Sequence, residues 1–308
     1  MMNFLKILPL LLIIATGCHS NNDQEIDPIN ELRHKINHIV SDKDATIGVS
    51  IIGNNGVDTV SINGNRQFPM QSVFKLHIGL AVLSEIDKGT FSLDQKIEVS
   101  KDEILKNNFY SPLRDENPNG GSFTIEKLLQ YSVSQSDNLA CDILIRLLGS
   151  PKAIETYFKK CGIKDIQIKF NEEVMQSEWD NMYQNWITPN AASESIRLFY
   201  KNEHQLLSKS SFEFIWETCK ATTTGMQRIR GLLPAETIVA HKTGTSGTNK
   251  ETGITGAVND IGVVFLPNGA YFIISVLVSD SKENIETNER IIAEISKAAY
   301  DYFMKVNS

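Results

Sequence analysis

Ser72-Val73-Phe74-Lys75 stands at the head of an apolar stretch that reads as a helix. Residues three apart on a helix share a face, so the serine hydroxyl and the lysine amine meet there. A neutral lysine takes the serine's proton, and a charged one stabilises the alkoxide. Alone the pair is weak, since a serine three residues before a lysine is expected about once or twice by chance in a chain of this size. Two further clusters give it weight. Ser136-Asp137-Asn138 falls in a short turn before a helix, and Lys242-Thr243-Gly244 ends a strand. Each tripeptide alone is easily accidental; three in this order are not.

That order is shared by the penicillin-recognising serine enzymes, and the chain resembles the class A β-lactamases over nearly its whole mature length. A finer resemblance links it to the PER, VEB and CfxA types and the Bacteroides chromosomal cephalosporinases. It rests on Gln71, on Ser136-Asp137-Asn138-Leu139-Ala140-Cys141-Asp142, on Tyr183-Gln184-Asn185-Trp186, and on His241 to Gly247. The resemblance implies the DD-peptidase-like fold, α/β plus all-α. An antiparallel sheet is flanked by helices, with a helical insertion and the site in the cleft.

Roles follow residue by residue. Ser72 attacks the lactam carbonyl and forms an acyl-enzyme. Lys75 assists its deprotonation and holds Ser136, which passes a proton to the departing ring nitrogen. Asn138 binds the substrate's side-chain amide. Lys242, Thr243, Gly244 and Thr245 bind its carboxylate, and the N–H groups of Ser72 and Thr245 form the oxyanion hole. Arg228 matches the arginine that this branch directs to the carboxylate; with Arg230 adjacent, an exposed charge is the plainer alternative. Tyr110 resembles the aromatic wall of the cleft, although a packed tyrosine looks the same in sequence.

Turnover, as opposed to trapping, needs a base that activates water. In class A enzymes it is a glutamate on a long loop, and here the choice lies between Glu172 and Glu173, with Glu178 more distant. Alignment of Asn171-Glu172 favours Glu172. Departures from the common pattern cluster around it. Gln176 replaces the asparagine that positions the water, and Asp142 replaces the asparagine that braces the base. A second buried carboxylate there is expected to raise the Glu172 pKa. Phe170 and Asn185 occupy the places of an arginine–aspartate bridge, leaving it no evident counterpart. Gly79 and Leu129 occupy those of the usual disulfide. A wider loop favouring bulky cephalosporins is the expectation.

The elements that must position these residues are legible in outline. Asp27-Pro28 starts a helix with Ile29, Leu32, Ile36 and Ile39 on one stripe. Strands are expected over 46–52 and 57–62, joined at Gly53-Asn54-Asn55-Gly56. Helices are expected over 73–86, 125–130, 140–148 and 191–200, and a long loop between Lys169 and Trp186. Strands return at 237–241, 261–266 and 270–278, before a last helix bearing Ile291, Ile292, Ile295, Ala298, Ala299, Tyr302 and Phe303. The sheet is thus assembled from both ends of the chain: 19–66 and 222–308 form an α/β domain, and 67–221 an all-α one.

The N-terminus reads as a signal peptide over 1–18, with Lys6 before an apolar run too short to span a membrane. Thr16-Gly17-Cys18 resembles a lipoprotein processing site with Cys18 as the lipid anchor; simple cleavage nearby is the alternative. Periplasmic or secreted placement follows. A formal charge of -7 disfavours nucleic acid, and the histidines and cysteines lack zinc spacing, so neither metal nor cofactor is expected. A monomer acting on a small β-lactam is. The rivals are a penicillin-binding D-Ala-D-Ala peptidase, which lacks the loop glutamate, and a non-catalytic β-lactam-binding lipoprotein, which has no reason to keep all four catalytic residues.

Overall fold

The computed structural model describes residues 27–53, 56–106 and 108–307. The signal segment, Cys18, and the two asparagines of the expected first turn lie outside them. Helix α1 (Pro28–Ser41) begins as its sequence requires, with Asp27 accepting the Ile29 N–H and proline in the first turn. Its Ile29, Leu32 and Ile36 are buried. Strands β1 (Thr46–Gly53) and β2 (Thr59–Ile62) pair antiparallel.

The middle of the chain is mainly helical. After the two-residue β3 (Phe68–Pro69) come α2 (Phe74–Asp87), β4 (Lys96–Val99), α3 (Lys101–Leu105) and α4 (Pro112–Glu116). Next are β5 (Gly121–Thr124), α5 (Ile125–Ser134), α6 (Asn138–Leu147), α7 (Pro151–Lys160) and β6 (Ile166–Gln167). Then follow α8 (Glu172–Met175), β7 (Trp186–Ile187), α9 (Pro189–Lys201) and α10 (Lys209–Lys220). Helix α2 is buried continuously from Phe74 to Ser84, as its unbroken apolar sequence demands. Helix α9 is capped by Thr188, whose hydroxyl accepts the Ala191 N–H. This region also holds two small sheets, β3-β7-β6 and β4-β5; strands of two to four residues leave little periodicity to read.

The chain returns through β8 (Val239–Thr245), β9 (Thr255–Phe265) and β10 (Tyr271–Ser281) to α11 (Ile285–Val306). The main sheet runs β2-β1-β10-β9-β8, antiparallel throughout. Both ends of the chain therefore build it. Strand β9 starts six residues before its expected apolar run. Gly256, Asn259 and Asp260 break the hydrophobic pattern there, yet all of this strand up to Val264 is buried.

Alternation along the strands divides the core in two. Phe272, Ile274, Val276 and Val278 pack under α1 and α11 with Ile36, Ile292 and Phe303. Ile273, Leu277, Ile261, Val263 and Ala240 face the helical region with Phe74, Leu80 and Leu129. The same period of two decides the site. Lys242, two residues from Ala240, faces the helices, while His241 lies on the opposite face, paired with Asp260.

Candidate active site

Gln71–Val73 form a single 3-10 turn that delivers Ser72 to the mouth of α2. Gln71 is held at a φ of 45°, a left-handed conformation that costs a non-glycine residue roughly 1–2 kcal/mol. The sheet sustains it. Asn259 Nδ2 donates to Pro69 O at 2.8 Å and Met70 O at 3.2 Å, and Met70 N donates to Asn185 O at 2.8 Å. Gly244 is required by the same contact, because a Cβ there would stand 2.5 Å from Met70 O.

Lys75, fully buried as the second residue of α2, lies within hydrogen-bond reach of Ser72 Oγ (2.8 Å), Ser136 O (2.9 Å) and Asn138 Oδ1. Glu172 Oε1 lies 2.7 Å from the same nitrogen and is equally buried, so four oxygens share its three hydrogens. Glu173, the other candidate base, points outward to Lys106 at 2.9 Å. Gln176 Nε2 donates to Glu172 Oε2 at 2.7 Å, so a polar side chain stands beside that carboxylate despite its extra methylene.

Asp142 does not brace the Glu172 carboxylate. It caps α8, accepting the N–H of Glu172 (2.7 Å) and Glu173 (3.0 Å) and the amide of Asn171 (3.0 Å). Burial, opposed by these N–H bonds and reinforced by the charge of Glu172, pushes the Asp142 carboxyl up to about 7. The missing arginine–aspartate bridge also has a replacement. Asn185, completely buried, accepts the N–H of Lys169 (2.8 Å) and Phe170 (2.9 Å) and donates to Phe170 O (2.8 Å). One side chain closes the loop by main-chain bonds, and sequence gives no sign of it beyond an asparagine where a charge is usual. Leu129 fills the space beside Gly79, and Cys141, Cys161 and Cys219 are free.

Across the cleft, Ser136 also has a positive φ, 61°, and stands between the two lysines. Lys242 Nζ donates to its hydroxyl at 2.9 Å and to Thr243 O at 2.9 Å. Ser136 therefore keeps its own proton free for a leaving nitrogen. Burial, with the nearby charge of Lys75, pushes the Lys242 amine down to about 7. Asp137 orients the Tyr110 segment by accepting the Ser111 hydroxyl at 2.9 Å and the Leu113 N–H at 2.6 Å.

Ser246 N donates to Ala257 O at 2.9 Å, so this facing pair is a hydrogen-bonded one. By antiparallel alternation Thr245, one residue earlier, turns its N–H away from β9. Strand β8 is the sheet edge, so that N–H faces the cleft. Arg228 is no exposed charge, being only 4% accessible. It donates to Asn259 O (2.9 Å), Gly244 O (3.2 Å) and Thr245 Oγ1 (2.7 Å), and pairs with Glu289 at 3.1 Å. The Thr245 hydroxyl, fixed as acceptor, has its proton free for a carboxylate.

These groups line one cleft of about 560 Å³. Ser72, Ser136, Asn138, Tyr110, Gln176, Arg228 and Thr243 to Thr245 all border it. Tyr110 is 56% exposed, a cleft wall rather than packing. Thr224, Trp179 and Met182 border it too and were not expected; Thr224 Oγ1 touches Thr243 Oγ1 at 2.6 Å. An isolated threonine or tryptophan carries no local signal of such a role.

A family model described as the β-lactamase enzyme family matches residues 31–303. β-Lactamase VEB-1 of Pseudomonas aeruginosa is 47% identical over 298 residues, covering 97% of each chain. Extended-spectrum β-lactamase PER-1 of the same organism is 40% identical over 274 residues, covering 89% of this chain and 88% of the relative. The crystal structure of the extended-spectrum β-lactamase TLA-1 superposes with a TM-score of 0.87 at 44% identity, over 90% of this chain and 99% of the other.

Proposed function

This chain belongs to the class A serine β-lactamases, hydrolases of β-lactam antibiotics that confer resistance to them, and on that premise we propose how its residues divide the reaction. The observation that carries the proposal is Lys75 Nζ, 2.8 Å from Ser72 Oγ and 2.7 Å from Glu172. In the ion pair Lys75 is a donor to the serine, so it must first yield a proton. Glu172 is placed to take it. Lys75 then accepts the Ser72 proton as Oγ bonds to the lactam carbon, and the carbonyl oxygen gains charge against the N–H groups of Ser72 and Thr245.

Collapse breaks the carbon–nitrogen bond. Ser136 gives its proton to the nitrogen and regains one from Lys75. Asn138 Nδ2 is available for the substrate's acyl amide because Oδ1 is occupied by Lys75. The substrate carboxylate meets Lys242, Thr243, Gly244 and Thr245, with Arg228 behind. For deacylation Glu172 first hands its proton back to Lys75. As a carboxylate it then takes a proton from water held with Gln176 while the hydroxide adds to the ester, and a proton returns through Lys75 to Ser72 Oγ as the ester bond breaks. A buried carboxylate in this position favours turnover over the permanently acylated state of a penicillin-binding protein.

We further propose a preference for cephalosporins with bulky acyl groups; PER-1 and TLA-1, which this chain resembles, are named extended-spectrum β-lactamases. The cleft's loop-side border of Met175, Gln176, Trp179 and Met182 supports it. The 19–66 and 222–308 segments are taken as one α/β unit around the inserted 67–221. We place the enzyme outside the cytoplasm, with Cys18 as a lipid anchor, and read it as a monomer because one chain supplies every site residue. Among the described residues no helix is long and apolar enough to cross a membrane.

The test is hydrolysis of a chromogenic cephalosporin by residues 19–308, beside Ser72→Ala and Glu172→Ala. Many turnovers by the native protein, none by Ser72→Ala, and a stable acyl-enzyme on Glu172→Ala are expected. A single stoichiometric burst from the native protein would overturn the reading.

A further inference from the structure

The loop that carries Glu172 is held in two separate places. Its inner part is pinned by Asn185 and Asp142, through the bonds to Lys169, Phe170, Glu172 and Glu173 already described. Its outer part, residues 177–183, contributes Ser177, Glu178, Trp179 and Met182 to the lining of the cleft. Within that part the side chains of Ser177 and Asn181 turn back to Val174 O at 2.9 and 2.8 Å, so they tie the loop only to itself.

Tyr183 reaches out of the loop. Its hydroxyl donates to Asp280 Oδ1 at 2.7 Å, across 97 residues of sequence, and Trp179 begins the same 3-10 helix, Trp179–Gln184, that carries Tyr183. Trp179 borders the cleft, and Tyr183 does not. Asp280, next to last in β10, is held at a φ of 50°, where a non-glycine residue is strained. In the same 3-10 helix, Met182 lies over Gly256 of β9, where a Cβ would stand 2.5 Å from its sulfur.

We propose that Tyr183 and Asp280 are positioning residues that latch the outer loop to the end of the sheet, and thereby set the wall that seats bulky acyl groups. The latch acts through Trp179 and Met182, which touch the cleft, and not through Glu172, whose supports are elsewhere. The substrates that depend on it are β-lactams with a large branched acyl substituent; a compact acyl group does not reach the wall. This rests on the proposed substrate preference.

The experiment measures kcat and KM for a chromogenic cephalosporin, and the Ki of two competitors against it. Ceftazidime has a branched oxyimino acyl group, and cephalothin a compact one. A Ki does not require the competitor to be turned over. Tyr183→Phe and Asp280→Ala should each raise the Ki of ceftazidime by about fivefold or more, leave that of cephalothin within about twofold, and leave kcat for the chromogenic substrate within about twofold. Asp280→Asn, which keeps an acceptor and tolerates a positive φ, should restore native values. The double variant Tyr183→Phe, Asp280→Ala should be no worse than either single one, as for two ends of one bond. Equal change for both competitors, no change for either, or additive effects in the double variant would overturn the latch. Tighter binding of cephalothin than ceftazidime by the native protein would instead overturn the substrate preference, a result the variants cannot mimic.

Discussion

The two halves of the site are built by different means. The acylating half stands on regular structure: Ser72 and Lys75 at the head of α2, Ser136 at the α5–α6 junction, Lys242 to Thr245 along β8. Main-chain ladders place most of these atoms, with the Asn259 side chain supporting the turn that carries Ser72. The deacylating half stands on α8, four residues long, inside an irregular loop. There Asn185, Asp142 and Asn171 hold the main chain with side-chain bonds. A helix of one turn has no stability of its own, so those few bonds govern where Glu172 sits. Damage to the first half should therefore cost chemistry with little cost in stability, and damage to the second should cost both.

The largest expected effect comes from Lys242→Ala. With the carboxylate anchor and the donor to Ser136 both gone, kcat/KM for a chromogenic cephalosporin should fall roughly 100-fold or more, with the thermal transition largely kept. A collapse of the fold instead would break the contrast. Next is Asn185→Leu, nearly the same size but unable to bond. Two N–H groups and one carbonyl lose their partner, at about 1–3 kcal/mol for each group left buried. Urea unfolding should report a loss of at least about 2 kcal/mol, and mass spectrometry should find acyl-enzyme building up as deacylation slows more than acylation. Unchanged stability would mean that the loop has another support.

A smaller effect sharpens the same contrast through pH. The Asp142 carboxyl titrates at about 7 when folded, against an ordinary 3.8. Between those values the folded chain keeps a proton that the unfolded chain releases, so stability falls as pH rises from about 4 to 7. Asparagine does not titrate. Whatever Asp142→Asn costs at pH 4, it should cost less at pH 7.5, by more than about 1 kcal/mol, in paired urea titrations. A constant difference would remove the proton linkage. The smallest effect lies on the acylating side. Lys242, lowered to about 7 by burial, is charged below that pH and neutral above it. The KM for a carboxylate-bearing β-lactam should rise severalfold between pH 7 and 9, and Lys242→Arg, which stays charged, should flatten the rise.

The contrast also explains what was legible. Ser72 and Lys75, Ser136 to Asn138, and Lys242 to Gly244 are contiguous, and helix and strand periodicity turns such spacing directly into geometry. The stripes of α1 and α11 and the burial of α2 could be read the same way. Strand β9 was cut short because Asn259 and Asp260 look like surface. They are buried because Asn259 supports the Ser72 turn and Asp260 pairs with His241. Asn185 looked like the loss of an ion pair and is a replacement for it. Asp142 looked like a perturbation of Glu172 and is the cap of its helix. For Asn259, Asn185 and Asp142 the partners are mainly main-chain groups, and main-chain groups are the same in every residue.

By itself the sequence pointed to the proposed chemistry, a serine nucleophile with two lysines, a proton relay and an acidic base on a loop, and to a sheet drawn from both ends of the chain. Those features are local in spacing or hydrophobic in pattern, and local sterics and burial translate them into structure. Only the tertiary structure decided which glutamate meets Lys75, that Arg228 is buried and engaged, and how the long loop is held at both its inner and its outer part. Those outcomes depend on contacts between residues far apart in sequence. Such contacts form only after the core has fixed the distances between them.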